Sequence, residues 1–264
     1  GISSRNFDIN PFNYALNTSR ALRAYDSNGE REYYTLNFAP FNILEELDNN
    51  YIKLNVIDLK AQAEFNWQIF KGLKYNFTGA IRYVRSKQEH EIHENSNMAN
   101  AYRAAGNSTI RENNPYLYKD PSDPSAEPIV VLSKGGFYNT AENLLLNYDI
   151  RNSVSFSKIW NEKHEFNALL GQQIKYSDRQ TNSNTGYGFQ YDMGGTVSMN
   201  YLIMKQMIEQ NFDYYSRALT YDRFAAFYAN VDYTYDRRYS ISGTVRYDGS
   251  NTMANSSSAR WLPT

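Results

Sequence analysis

The chain contains no cysteine, which excludes disulfide scaffolds and cysteine-ligated zinc. Neither charge is in excess: 27 basic against 28 acidic residues leave a formal net charge of −1, which argues against an electrostatic nucleic-acid binder. No run of about 18 apolar residues occurs, so the sequence offers no transmembrane helix. The opening Gly1-Ile2-Ser3-Ser4 lacks a basic n-region and an apolar h-region. The expectation is that a leader was removed or that the chain is an internal piece. Catalytic signatures are missing too. There is no G-x-S-x-G and no cysteine nucleophile, and no carboxylate pair sits in apolar surroundings that would split its pKa values. The chain is therefore read as a non-enzyme without a cofactor or a metal.

What is present is aromatic and amphipathic. Tyr, Phe and Trp number 24, 14 and 3, or 16% of the 264 residues. They are placed with a strict period of two. From Ile57 to Ile69 every odd position is apolar (Leu59, Ala61, Ala63, Phe65, Trp67), and every even one is polar, from Asp58 and Lys60 to Glu64 and Gln68. A helix would space apolar residues by three and four, so this is a strand with one apolar and one wet face. After Lys71-Gly72 the pattern resumes through Leu73, Tyr75, Phe77, Ile81 and Tyr83, which makes a hairpin. A second hairpin runs from Leu144 to Trp160, turns at Asn161-Glu162-Lys163, and returns through Phe166, Ala168, Leu170 and Ile174. A third runs from Ala225 to Tyr235, turns at Asp236-Arg237-Arg238, and returns through Tyr239, Ile241, Val245 and Tyr247.

Length separates the fold classes. Soluble strands average about five or six residues. These run roughly 11 to 17, or about 36 to 56 Å at ~3.3 Å per residue. Tilted by about 45°, they still cross the apolar band of an outer membrane. The expected fold is all-β: a segment of a large antiparallel transmembrane β-barrel with short periplasmic turns and long extracellular loops. Residues 1–53 read as an extracellular loop containing a short strand near Tyr33–Phe38. The hairpins occupy 54–85, 143–177 and 221–248, and 86–142 and 178–220 are long extracellular loops. Trp67, Trp160, Tyr235 and Tyr239 fall near the short turns, and Tyr83, Tyr221 and Tyr247 toward the opposite rim, as interface belts require. The lumen face would carry Asp58, Lys60, Glu64, Arg82, Asp149, Arg151, Asp232 and Arg246. Six strands cannot close a membrane barrel, whose minimum is about eight. More strands must therefore come from a longer chain or from another one.

Specific wording then stands out. Tyr228-Ala229-Asn230-Val231-Asp232-Tyr233-Thr234-Tyr235-Asp236-Arg237-Arg238-Tyr239 leads through Arg246-Tyr247-Asp248-Gly249-Ser250 to Arg260-Trp261-Leu262-Pro263. This resembles the barrel signature of the SusC/RagA family of TonB-dependent outer-membrane transporters of Bacteroidetes. Phe70–Phe77, Leu146–Asp149 with His164–Gly171, and Asn10-Pro11-Phe12 with Tyr25–Gly29 resemble that family as well. Asp248, Gly249, Ser250, Arg260, Trp261 and Pro263 match its motif. Asn251-Thr252-Met253 departs from it where an aromatic is usual, as does Leu262 where glycine is typical. The resemblance implies a 22-stranded barrel with a plug, and import of oligosaccharides or peptides powered by TonB–ExbB–ExbD. It also implies a SusD-like surface lipoprotein as partner and outer-membrane lipid around the wall. The plug and the C-terminal closing strands would lie outside this chain.

Sharper readings compete with plainer ones. His90 and His93 in Glu89-His90-Glu91-Ile92-His93-Glu94 would face opposite ways in a strand, so a solvated loop is favoured over a metal site. Asp120-Pro121-Ser122-Asp123-Pro124-Ser125 lacks calcium-loop spacing and reads as a rigid loop. Met204, Ile208, Phe212, Tyr215 and Leu219 fit one face of a helix. Two rival functions share the alternation, a passive porin-type channel and a soluble extracellular β-sandwich adhesin or binding module.

Overall fold

The computed structural model describes Phe7, residues 9–252 and the backbone of residues 261–263. In chain order these form α1 (Pro11–Asn17), β1 (Tyr34–Leu36), β2 (Ala39–Phe41), α2 (Ile43–Asn49), β3 (Asn50–Phe70) and β4 (Leu73–Ile92). Next come α3 (Asn97–Ala101), α4 (Ser108–Asn113), β5 (Gly136–Trp160) and β6 (His164–Gln190). The chain continues with β7 (Thr196–Val197), α5 (Tyr201–Glu209), β8 (Tyr215–Tyr235), β9 (Tyr239–Ser250) and β10 (Trp261–Pro263). The fold is all-β and mostly antiparallel. The main sheet runs β10-β9-β8-β6-β5-β4-β3 with β7 beside β6, so neighbours in sequence are neighbours in space. No helix of the described residues is long and apolar enough to cross a membrane.

The strands are longer than the alternation alone marks. β3, β4, β5, β6 and β8 have 21, 20, 25, 27 and 21 residues. They reach into segments expected to be loops: β4 continues to Ile92, β5 begins at Gly136, β6 ends at Gln190 and β8 begins at Tyr215. In these extensions the period of two fades because both faces are polar: His90 bonds Asn50 at 2.6 Å on one face, and the pairs on the other are ionic. Lys53 Nζ meets Glu91 at 2.8 Å, the Tyr51 hydroxyl donates to Glu91 at 2.8 Å, and Lys87 Nζ meets Glu89 at 2.8 Å.

The turns explain the tight hairpins. Asn161 and Glu162, like Asp236 and Arg237, have positive φ near 50°, and the Arg238 amide donates back to Tyr235 at 3.0 Å. Two successive left-handed residues give a turn whose twist matches that of the strands. Gly72 (φ +98°) closes the first hairpin while its carbonyl accepts from the Ser157 amide at 2.8 Å. A Cβ at Gly72 would lie 2.4 Å from the Ser157 carbonyl oxygen, so only glycine fits.

The chain divides into two compact bodies. One comprises Gly1–Asn55, Lys87–Ala141 and Asn182–Ser216, here the loop body; the other comprises Val56–Ser86, Glu142–Thr181 and Arg217–Thr264, here the wall body. The loop body owns the core. Tyr102 is the hub, stacked on Tyr116 at 5.4 Å and edge-on to Phe137 at 5.0 Å, with Ile92, Leu132, Ile203 and Met207 also buried. Its buried Asn42 is partnered where the chain crosses itself. Asn42 caps α2 through the amides of Leu44 and Glu45 and donates to the Ala24 and Glu32 carbonyls at 2.8 and 2.9 Å. Asn10 caps α1 in the same way, and Asp26 accepts from the amides of Asn28 and Glu30 in the Tyr25–Arg31 turn.

The short strand expected near Tyr33–Phe38 is β1, and Asn37 and Phe38 turn it into β2 with positive φ. The expected helix within 199–219 is α5, but it ends at Glu209, and Asn211 takes a left-handed φ of 56°. Its packed face is also different. Ile203, Gln206 and Met207 are buried, while Ile208 is exposed and Tyr215 and Leu219 belong to β8. Apolar pairs four apart occur in two registers here, 203/207 and 204/208, and periodicity cannot choose between them.

Candidate functional site

In the wall body alternation becomes two faces. Register fixes this for β8 and β9: Ala225 lies opposite Gly249, Phe227 opposite Tyr247, Ala229 opposite Val245 and Tyr233 opposite Ile241. The intervening pairs are Ala226 opposite Asp248, Tyr228 opposite Arg246, Asn230 opposite Thr244 and Asp232 opposite Ser242, polar on at least one strand each. Among the described residues Ala226 is the single buried apolar side chain of the wall body. The apolar face is exposed: Leu59, Trp67, Leu170, Phe227, Ile241 and Val245 show 49–71% of their surface. A soluble domain rarely leaves so large an apolar patch uncovered.

The polar face carries the expected charged residues, several of them brought together. Arg82 meets Asp58 at 2.6 Å, and Arg151 meets Asp149 at 2.9 Å. Gln173 Nε2 also donates to Asp149, at 3.1–3.2 Å. Lys60, Arg82, Asp149 and Arg151, with Gln62 and Asn147, line a cleft of about 340 Å³. Glu64 accepts from Gln62 at 2.9 Å. Asp232 and Arg246 lie elsewhere on the same body, and Arg246 pairs with Asp248 at 2.8 Å. Tyr228 lies over Gly171, where an added Cβ would fall 2.0 Å from the ring.

The Asp248-Gly249-Ser250 block gains a structural meaning. Trp261 pairs with Gly249, Leu262 with Asp248 and Pro263 with Tyr247, so the two halves of the motif form one antiparallel ladder. Arg260 lies outside the described residues. Near the short turns, Trp160 stacks on His164 (5.4 Å, 1° between planes), and His164 Nδ1 and the Tyr233 hydroxyl are 2.7 Å apart. Tyr235 packs against the same imidazole at 5.2 Å. Asn152, at an apolar-face position, is satisfied by the Tyr75 hydroxyl at 2.6 Å.

The loop body holds a second cluster that sequence reasoning did not assemble. His93 stacks on Tyr191 at 3.9 Å and lies 3.2 Å from the Tyr51 hydroxyl through Nε2. Phe189 meets Tyr191 at 4.7 Å and Tyr138 at 4.9 Å, and Tyr138 donates to Glu89. His90 instead bonds Asn50 at 2.6 Å, so the two histidines have separate partners. The residues come from strand ends far apart in sequence, and no local pattern marks them. Asp120 and Asp123 are occupied by turns, each accepting from the Ser two positions on.

Glu46 is the one carboxylate buried in the loop body among the described residues. It accepts from the Asn97 amide at 2.7 Å and from Asn50 Nδ2 at 2.8 Å. Burial pushes its pKa up, and those two hydrogen bonds restrain the rise.

No family profile matches the sequence, and no curated protein is significantly similar to it. Solved structures do match. The chain is similar to one in the RagAB peptide transporter, with 12% identity, TM-score 0.57, 91% of this chain covered and 23% of that one. Two structures of the RagAB peptide importer also match: "closed-closed" at 12% identity, TM-score 0.58 and 91% and 23% coverage, and "open-open" at 12%, 0.56 and 91% and 22%. The likeness shows the fold, that of a segment of an antiparallel β-barrel. The chain spans less than a quarter of the chains it matches.

Proposed function

We propose that this chain supplies wall and outer loops to a TonB-dependent importer of the SusC/RagA type in an outer membrane. The observation that carries the reading is the wall body's exposed apolar face, backed by a mostly polar face, in a fold shared with a peptide importer over 91% of the chain. Water would penalise that face, whereas lipid rewards it. Strands of 20 or more residues exceed the 9–11 that cross a bilayer, and the surplus builds the loop body. β3 stands at one end of the sheet order, and in lipid its unpaired edge would cost several kcal/mol per exposed group. Further strands of a larger barrel would cover it.

In this reading the polar face lines the lumen, with Asp58, Lys60, Glu64, Arg82, Asp149, Arg151, Asp232 and Arg246 along the cargo route. The cargo is a large nutrient, an oligosaccharide or a peptide. Capture falls to the loops, with a SusD-like surface lipoprotein beside them, and TonB–ExbB–ExbD drives release through a plug outside this chain. A porin needs neither energy nor lipoprotein, and a soluble adhesin would cover the apolar face.

The test is the native polypeptide extracted from the outer membrane in detergent. Since this chain spans 23% of its structural neighbour, a mass about four times its own is expected. A lipoprotein should co-purify, and uptake should stop when the proton gradient is collapsed. A polypeptide of this chain's own size, or uptake indifferent to the gradient, would overturn the proposal.

A further inference from the structure

On the apolar face of the wall body, small residues leave two recesses between large side chains. Tyr148 and Tyr176 stack at 5.0 Å, and the Arg223 guanidinium lies 5.9 Å over the Tyr176 ring. These three, with Ile174, border a recess of about 700 Å³ floored by the small residues Ala225 and Gly249. Two and four residues along β8, on the same face, Phe227 and Ala229 join Leu170 and Val245 around an apolar hollow of about 310 Å³. A cationic aromatic head thus sits on one side of the facing pair Phe227 and Tyr247, and an apolar hollow lies on the other.

Charge and position select the occupant. Arg223 and Arg217 share a face of β8 and form no ion pair among the described residues. Asp178, on the neighbouring strand, turns instead to Gln180 at 3.4 Å. Below Arg223 every position on that face of β8 is apolar or tyrosine: Ala225, Phe227, Ala229, Val231, Tyr233 and Tyr235. Twelve residues separate Arg223 from Tyr235, about 40 Å along the strand at ~3.3 Å each and about 28 Å along the membrane normal at ~45° tilt. That matches an apolar band about 25 Å tall, which places Arg223 at headgroup level, opposite the short turns.

We propose that this face holds an anionic, phosphate-bearing lipid of the outer leaflet. The phosphate pairs with Arg223, its glycerol or sugar backbone rests against Tyr148 and Tyr176, and one acyl chain runs from the Ala225–Gly249 floor past Phe227 into the hollow at Ala229. Guanidinium–phosphate hydrogen bonds are strong and bidentate, and here they form where water is scarce. The inference rests on the membrane-barrel reading and deepens it.

The full-length protein, delipidated in detergent, is titrated with phosphatidylglycerol or zwitterionic phosphatidylcholine, and bound lipids are counted by native mass spectrometry. Wild type should hold phosphatidylglycerol in preference. Arg223→Glu should lower its occupancy about tenfold, the scale of one lost charge-assisted contact. Ala229→Trp, which fills the apolar hollow and keeps the charge, should lower it too, while Lys60→Gln on the polar face should leave it unchanged. Equal retention in all variants, equal binding of phosphatidylcholine, or displacement by inorganic phosphate alone would overturn the lipid site. The barrel reading is scored separately by membrane fractionation and by a heat-dependent shift in gel mobility. A folded membrane barrel without preferred lipid would sink only this inference.

Discussion

Glu46 and Tyr102 carry single-residue consequences in the loop body. The buried Glu46 carboxyl has its pKa raised by burial, so the folded state holds that proton more tightly than the unfolded chain does. Its stabilising contribution is therefore complete below the ordinary glutamate pKa and is lost as pH rises through the folded value. Compared with Glu46→Gln, the wild-type loop body should lose stability as pH rises through that window, read as thermal unfolding against pH. Glu46→Ala leaves the buried Asn97 amide without its acceptor, and Asn50 Nδ2 with only the Phe7 carbonyl at 3.4 Å, and should cost about 1–3 kcal/mol. Tyr102 touches Tyr116 and Phe137 and is 3% exposed. Tyr102→Ala should cost about 3–5 kcal/mol, with hydrogen exchange rising in α3 and at the start of β5 while the wall strands stay protected.

Hairpin turns set the behaviour of the elements. Asp236 and Arg237 hold left-handed backbone that costs L-residues roughly 1 kcal/mol each. Arg237→Gly should therefore stabilise the β8–β9 hairpin by up to about 1 kcal/mol, after the entropy glycine loses on folding. Gly72→Val should do the reverse, since Cβ meets the Ser157 carbonyl; slower refolding in detergent would report it. Alternation made all three hairpins legible because one face of each strand must be apolar throughout. The strand extensions were not legible, because Lys87–Glu91 is polar on both faces and pairs through Lys53, Tyr51 and Tyr138 instead.

For the whole molecule, the two faces make opposite demands on a charge. Val231→Arg, on the apolar face some four residues from Tyr235, should cost about 2–4 kcal/mol in a bilayer. Asp232→Arg, one residue on, faces the polar side opposite Ser242 and should leave folding unchanged. Equilibrium unfolding from lipid vesicles checks both, and equal effects would argue that no membrane covers the apolar face. The expected lumen residues divide likewise. Lys60, Arg82, Asp149 and Arg151 share one cleft, whereas Asp232 and Arg246 lie apart from it, a grouping that depends on strand register.

The sequence by itself determined the class of this protein, since a period of two over many residues permits nothing but long two-faced strands. It also marked the tight turns through Gly72 and the Asn161 and Asp236 triplets. Tertiary structure alone decided which residues meet. It joined Asp248-Gly249-Ser250 to Trp261–Pro263 in one ladder and chose the 203/207 face of α5. It also gathered His93, Tyr51, Tyr191 and Tyr138 from distant strand ends, and set Arg223 over Tyr176. The physical reason is range. Periodicity records what one segment must bury, while register and loop closure, which link positions scores of residues apart, leave no local trace.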